Sequence, residues 1–198
     1  MSRLVAHAGS RNCQQSRSTA GVPELATIVA AGPFDDLEHA HQLAAMFIRI
    51  QQTCRTRMVL LGEGTRRSVV VRRAAERRLH TRLVLVDDCV GPLRSDQLAA
   101  ADLVLPSPAS TLSALAETMA AGRAVVASAS PAAAALVMPY SAGLLYTPGD
   151  VSAMTTAVER LLSHPGLRSE MGIRASQAAQ RHHVHPLRQW PDDLRKHA

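Results

Sequence analysis

The chain has 198 residues, of which 46% are hydrophobic and 3% aromatic, so it can build one ordinary domain with a core of Ala, Val and Leu rather than of rings. Two full α/β domains do not fit that length. A net charge of +6 points to an anion as partner (a sugar nucleotide, a nucleic acid or a membrane surface) or serves solubility alone.

No run of about 18 apolar residues is present, so no transmembrane helix is expected, and the first residues lack the apolar stretch of a secretory signal. Cys13, Cys54 and Cys89 are odd in number and form no C-x-x-C pair. They read as reduced cysteines of a cytoplasmic protein, one that could also sit peripherally on a membrane.

Residues 1–22 are polar and without period, and read as a flexible arm or the remnant of a linker. Leu25 to Ala31 is the first buried strand, broken by Gly32-Pro33. Asp35 or Asp36 can cap the helix that follows. Arg57 to Leu61 is the second strand and enters the turn Gly62-Glu63-Gly64, with glycines that suit a sharp strand-to-helix turn. A helix over Thr65–Leu79 then carries Arg66, Arg67, Arg72, Arg73, Arg77 and Arg78 against Glu76 alone. A solvated basic face explains it most simply, and phosphate contact is the alternative. Nucleic acid is disfavoured as a partner because aromatics for stacking are scarce.

Arg82 to Val86 is the third strand, followed by Asp87-Asp88 and a short helix over Ser95–Ala101. Acids after the first and third strands would suit a receiver domain's magnesium site, but the fifth strand ends Ala127-Ser128-Ala129-Ser130, without the lysine a receiver needs. Leu103 to Leu105 is the fourth strand. Ser107 to Thr111 is a polar loop, Leu112, Leu115, Ala116 and Met119 give a helix one apolar face, Gly122 closes it, and Ala124 to Ala127 is the fifth strand. Strand, helix and strand with short joins make a βαβ unit, whose ligands sit at the carboxyl ends of the strands. That places Ser110, Thr111 and the helix start at the expected site, with Glu117 the one carboxylate on the helix.

Leu144 to Tyr146 is the last strand, Asp150 precedes a helix to Leu162, and another helix runs from Pro165 to about Gln180. His182, His183 and His185 open a His-rich tail, residues 182–198, with a terminal helix at Trp190. A polar tail accounts for these histidines better than a metal site, which needs ligands converging from one side.

Several of these stretches together resemble the C-terminal, nucleotide-sugar-binding domain of retaining GT-B glycosyltransferases of the group 1, family 4 type. The matching residues are Ala99-Ala100-Ala101-Asp102, Pro106-Ser107, Glu117-Thr118-Met119-Ala120-Ala121-Gly122, Val125-Val126-Ala127, the turn at Gly62 and Gly64, Gly143 to Asp150, and Pro165 with Leu167, Arg168, Met171 and Gly172. The resemblance covers about 25–180, and the domain is placed at 23–181. It implies an α/β fold, a Rossmann-like three-layer α/β/α arrangement with a parallel sheet of about six strands, one half of a GT-B enzyme.

It also implies a ligand, a nucleoside diphosphate sugar such as a UDP- or GDP-sugar, with no further cofactor and no metal. Glu117 matches the glutamate that contacts the ribose, and the backbone near Val86 the segment that holds the base. Among the departures from the pattern are the positions that would hold the donor's charge and sugar. Ala109 stands where a second glutamate would meet the sugar, Pro33 replaces the arginine and Glu38 the lysine that hold the pyrophosphate. Arg66 and Arg67 are the candidates to replace those cations. The expectation is a domain inactive as an isolated chain, completed by a separate acceptor-binding domain or by a second copy. The rivals are an interaction module that kept only the fold, and an anion or nucleic-acid binder using the arginine helix.

Overall fold

Six short apolar runs become six strands in a computed structural model, which describes residues 25–87 and 92–184. They are β1 (Ala26–Ala31), β2 (Thr56–Leu61), β3 (Leu83–Val86), β4 (Leu103–Pro106), β5 (Ala124–Ser128) and β6 (Gly143–Tyr146). All neighbours pair in parallel in the order β3-β2-β1-β4-β5-β6. The helices are α1 (Leu37–Ile50), α2 (Arg67–Glu76), α3 (Pro92–Ala99), α4 (Leu112–Ala120), α5 (Pro131–Val137), α6 (Val151–Ser163) and α7 (Pro165–Val184).

Strand parity decides which layer each side chain joins. Ile28, Met58, Leu60, Leu103 and Val126 share one core with α1, α2 and α6. On the other face Val29, Val59 and Val104 meet Leu98 of α3, while Val125 and Ala127 meet α4, α5 and α7. The sheet is therefore covered on both sides, which is why its strands are continuous apolar runs.

Each of four helices is capped at the carboxyl edge of the sheet. Asp36 caps α1, Thr111 caps α4, Ser130 caps α5 and Asp150 caps α6, each side chain accepting a backbone N–H of the first turn. At the opposite edge Asp102 ties three elements together. Its carboxylate accepts the Thr27 N–H at 2.8 Å and an Arg168 guanidinium N–H at 3.1 Å, while its own N–H donates to the Thr27 carbonyl. Gly172 on α7 lies against the Gly122 carbonyl, so closely that a Cβ there would come within 2.4 Å of it.

Three helices differ in extent from the sequence reading. α3, expected over Ser95–Ala101, runs from Pro92, a residue suited to a first helical position, to Ala99. α2 is shorter, beginning at Arg67 and closing in a turn where Arg78 donates to the Ala75 carbonyl and Leu79 to that of Ala74. That is the six-to-one, five-to-two pattern of a Schellman cap, and Arg78 holds its left-handed position at φ 58°. α7 continues to Val184, past the end expected at Gln180. The arm at 1–22, Cys13, Asp88, Cys89 and the tail from His185 lie outside the described residues.

Candidate functional site

The strand order reverses between β1 and β4, so the loops after these two strands flank the crevice where parallel sheets of this kind take ligands. Backbone bonds carry the ladder past the strand ends into those loops. Gly62 donates to Val86, Gly32 to Leu61 and Ser107 to Ala31. The ladder fails at one place. β4 and β5 pair only at Leu103 with Ala124 and Val104 with Val125. Pro106 has no N–H to continue it, and the two strand ends part.

A small recess opens there, between the starts of α4 and α5, lined by Pro106, Ser107, Ser110, Ser128 and Ser130 among others. Ser107 and Ser128 are buried. The Ser107 hydroxyl accepts the Ala109 N–H at 3.3 Å, whereas the Ser128 hydroxyl has no hydrogen-bond partner among the described residues. Ser110 donates its N–H to the Ser107 carbonyl at 2.9 Å. The Thr111 hydroxyl accepts from Ala114 N at 3.2 Å as the α4 cap. Ser110 and Thr111 thus stand at the mouth of the recess and at the positive end of α4.

The profile of the family described as glycosyl transferases group 1 matches residues 26–164. The chain belongs to that family. No curated protein is a significant match by sequence. Solved structures of other proteins agree with the fold. Sucrose-phosphate synthase from Thermosynechococcus elongatus superposes with a TM-score of 0.65 at 24% identity, over 80% of this chain and 41% of that one. Anabaena HepE in complex with UDP gives 0.67 at 18%, over 79% of this chain and 44% of that one. A glycosyltransferase from Rickettsia africae gives 0.69 at 12%, over 85% and 45%. The chain spans less than half the length of each of these structures.

The remaining residues singled out for this group 1 domain fall in two further places. Gly62, Gly64, Arg66, Arg67 and Val86 gather at the ends of β2 and β3. There Arg67 donates to the Gly62 carbonyl at 2.7 Å and to that of Val86 at 3.5 Å, and pairs with Asp87 at 2.7 Å. The Arg66 side chain is exposed and has no polar partner among the described residues. Gly64, at φ 148°, is pressed on the Phe34 backbone, where a Cβ would come within 2.4 Å. That contact interlocks the loops after β1 and β2.

The two amides just before α2 are bonded within the chain. Thr65 N donates to the Asp35 carboxylate at 2.9 Å and Arg66 N to the Phe34 carbonyl at 2.8 Å. An acid of the chain itself thus lies just before the start of α2, where it opposes an incoming phosphate. Glu38, in the first turn of α1, is held by Gln42 at 3.1 Å, so the carboxylate at the lysine position is fixed at the same sheet edge.

Glu117 stands apart from both groups, on the side of α4 that faces α3. Its carboxylate lies 3.6 Å from Arg94 Nε, with the Arg94 side chain 13% exposed and that of Glu117 47% exposed. Arg94 went unnoticed in the sequence, because nothing in the spacing of a short helix tells which neighbour it meets. Among the described residues no group of His, Cys, Asp or Glu could hold a metal ion, and no helix is long and apolar enough to cross a membrane.

Proposed function

We propose that the chain is a nucleotide-sugar-binding domain that takes a nucleoside diphosphate at the carboxyl edge of the sheet and transfers no sugar on its own. The observation that carries this reading is the end of the β4–β5 ladder beside a capped helix start, with Ser107, Ser110 and Ser128 lining the recess that opens there. A phosphate or sugar hydroxyl would find hydrogen-bonding partners in these serines, and α4 would offer it a positive end. Glu117 has an acceptor for a ribose diol, with Arg94 holding its orientation.

The chemistry of transfer needs more than this. An oxocarbenium-like transition state and a departing diphosphate require cations placed in advance. Pro33 and Glu38 supply none, Asp35 adds a negative charge at the neighbouring helix start, and Arg67 is engaged by two carbonyls and Asp87. Arg66 is the cation left to meet a phosphate at that end of the sheet. An acceptor half from another chain, or from a second copy, would complete the cleft. The same acid at the α2 start favours a second reading, an interaction module that kept the fold and binds no nucleotide.

Calorimetric titration with UDP, GDP and ADP separates the two. Selective binding of one nucleotide that disappears in Glu117→Ala and weakens in Ser128→Val supports the donor site. Absence of binding to all three leaves the interaction module. Donor hydrolysis by the isolated chain would refute the claim of inactivity.

A further inference from the structure

The densest charge in the molecule lies away from the recess, on α2 and the turn after it. Between Arg66 and Arg82 seven arginines stand against Glu76 alone. Two of the seven are engaged inward, Arg67 as described and Arg82 by Gln51 Oε1. Arg66, Arg72, Arg73, Arg77 and Arg78 are exposed. Arg73 lies 4.0 Å from Glu76 with both side chains about half exposed, a pairing that neutralises little. α2 has 10 residues, so these guanidinium groups are spread over about 15 Å.

An apolar feature sits beside the charge. β3 is an edge strand, and its Leu85 is 46% and its Val84 38% exposed. Leu85 pairs in register with Leu60, and Leu83 with Met58. Leu60 and Met58 pack in the layer that holds α2, so Leu85 points to the α2 side of the sheet. An exposed leucine thus lies on the face of the sheet that carries α2.

We propose that α2 and the edge strand β3 form a docking surface for an anionic lipid bilayer. Guanidinium groups take lipid phosphates in paired hydrogen bonds, and an apolar side chain at the rim enters the headgroup boundary. A nucleic acid would use the same charges, yet it has no use for Leu85. The residues from 66 to 86 also include no Phe, Tyr or Trp on which a base could stack.

Arg78 provides the cleanest test. It occupies, at φ 58°, a left-handed position where glycine carries no Cβ penalty. Arg78→Gly removes one charge from the surface while relieving the backbone, so a loss of binding in that variant cannot be blamed on unfolding.

The experiment is co-sedimentation of the full chain with phosphatidylcholine vesicles, with and without phosphatidylglycerol, over a salt series, beside titration of a DNA duplex. The chain is expected on the anionic vesicles only, with affinity falling as salt rises. Arg78→Gly should weaken that binding roughly fivefold at an unchanged or higher melting temperature, and Arg72→Ala/Arg77→Ala/Arg78→Gly about a hundredfold. Leu85→Ser should weaken vesicle binding and leave DNA affinity unchanged. The proposal is overturned by no binding to anionic vesicles at low salt, by wild-type affinity in the triple variant, or by duplex binding tighter than vesicle binding with Leu85→Ser without effect on either.

Discussion

The carboxylate of Asp35 accepts the backbone N–H of Thr65 at 2.9 Å, across 30 residues of chain. Its neighbour Asp36 caps α1 by accepting from Glu38. Two adjacent acids therefore serve two different helices, and the first of them places a negative charge where α2 could otherwise receive an anion.

Asp35→Asn keeps an acceptor for Thr65 and removes the charge, so stability should fall by no more than about 1 kcal/mol. In a domain of this size that is roughly 2–4 °C in melting temperature. Affinity for UDP should rise, because repulsion of the diphosphate is relieved. Calorimetry on the two proteins side by side checks it, and weaker UDP binding in the variant would contradict the role given to Asp35.

Arg66 and Arg67 are adjacent in sequence and opposite in consequence. Arg67→Ala removes the donor to the Gly62 carbonyl, and a charged hydrogen bond of that kind is worth about 1.5–3 kcal/mol. Its pairing with Asp87, whose side chain is 79% exposed, adds about 0–1 kcal/mol. Arg66→Ala should leave stability within about 0.5 kcal/mol. Urea denaturation of both variants resolves the difference.

Asp102→Ala would leave the Thr27 N–H without its acceptor and Arg168, 19% exposed, without its counter-charge. A loss of about 3 kcal/mol or more is expected from the unpaired groups. Asp102→Asn should lose less, since it can still accept from Thr27. A midpoint for the Ala variant equal to wild type would show that the link carries no stability.

His39 is 3% exposed and its Nδ1 has no hydrogen-bond partner. Burial lowers its pKa to about 4, against the opposing pull of Asp36. The unfolded chain, with the ordinary value near 6.5, binds the proton more readily. Stability from a neutral His39 is thus complete above about pH 6.5 and is lost as pH falls toward 4, by roughly 3 kcal/mol in all. His39→Leu should flatten that limb of the melting temperature against pH, and an unchanged acid limb would show that other groups set it.

The strands were legible because each is a run of four to six apolar residues closed by Gly, Pro or a polar cap, and a sheet covered on both faces demands that pattern. The cap at Asp150 follows from a side chain able to accept an N–H just before an apolar period. The choice between Asp35 and Asp36 was not legible, since either can cap a following helix and only the packed loops assign them. The recess escaped for a related reason. It arises from where the β4–β5 ladder stops, and register between strands is a property of pairing, not of either run alone. Arg94 beside Glu117 is a contact between helices, which no spacing within one helix encodes.

The Asp102 link has a kinetic meaning as well. β1 pairs with β2, its nearest neighbour in sequence, but on the other side it waits for β4, and the Thr27–Asp102 contact joins positions 75 residues apart. Closing so long a segment is an entropic barrier that must be met before the contacts beyond it repay it. The chain is then two locally paired halves, β1 to β3 and β4 to β6, and the seam where they meet is the least local pairing in the sheet.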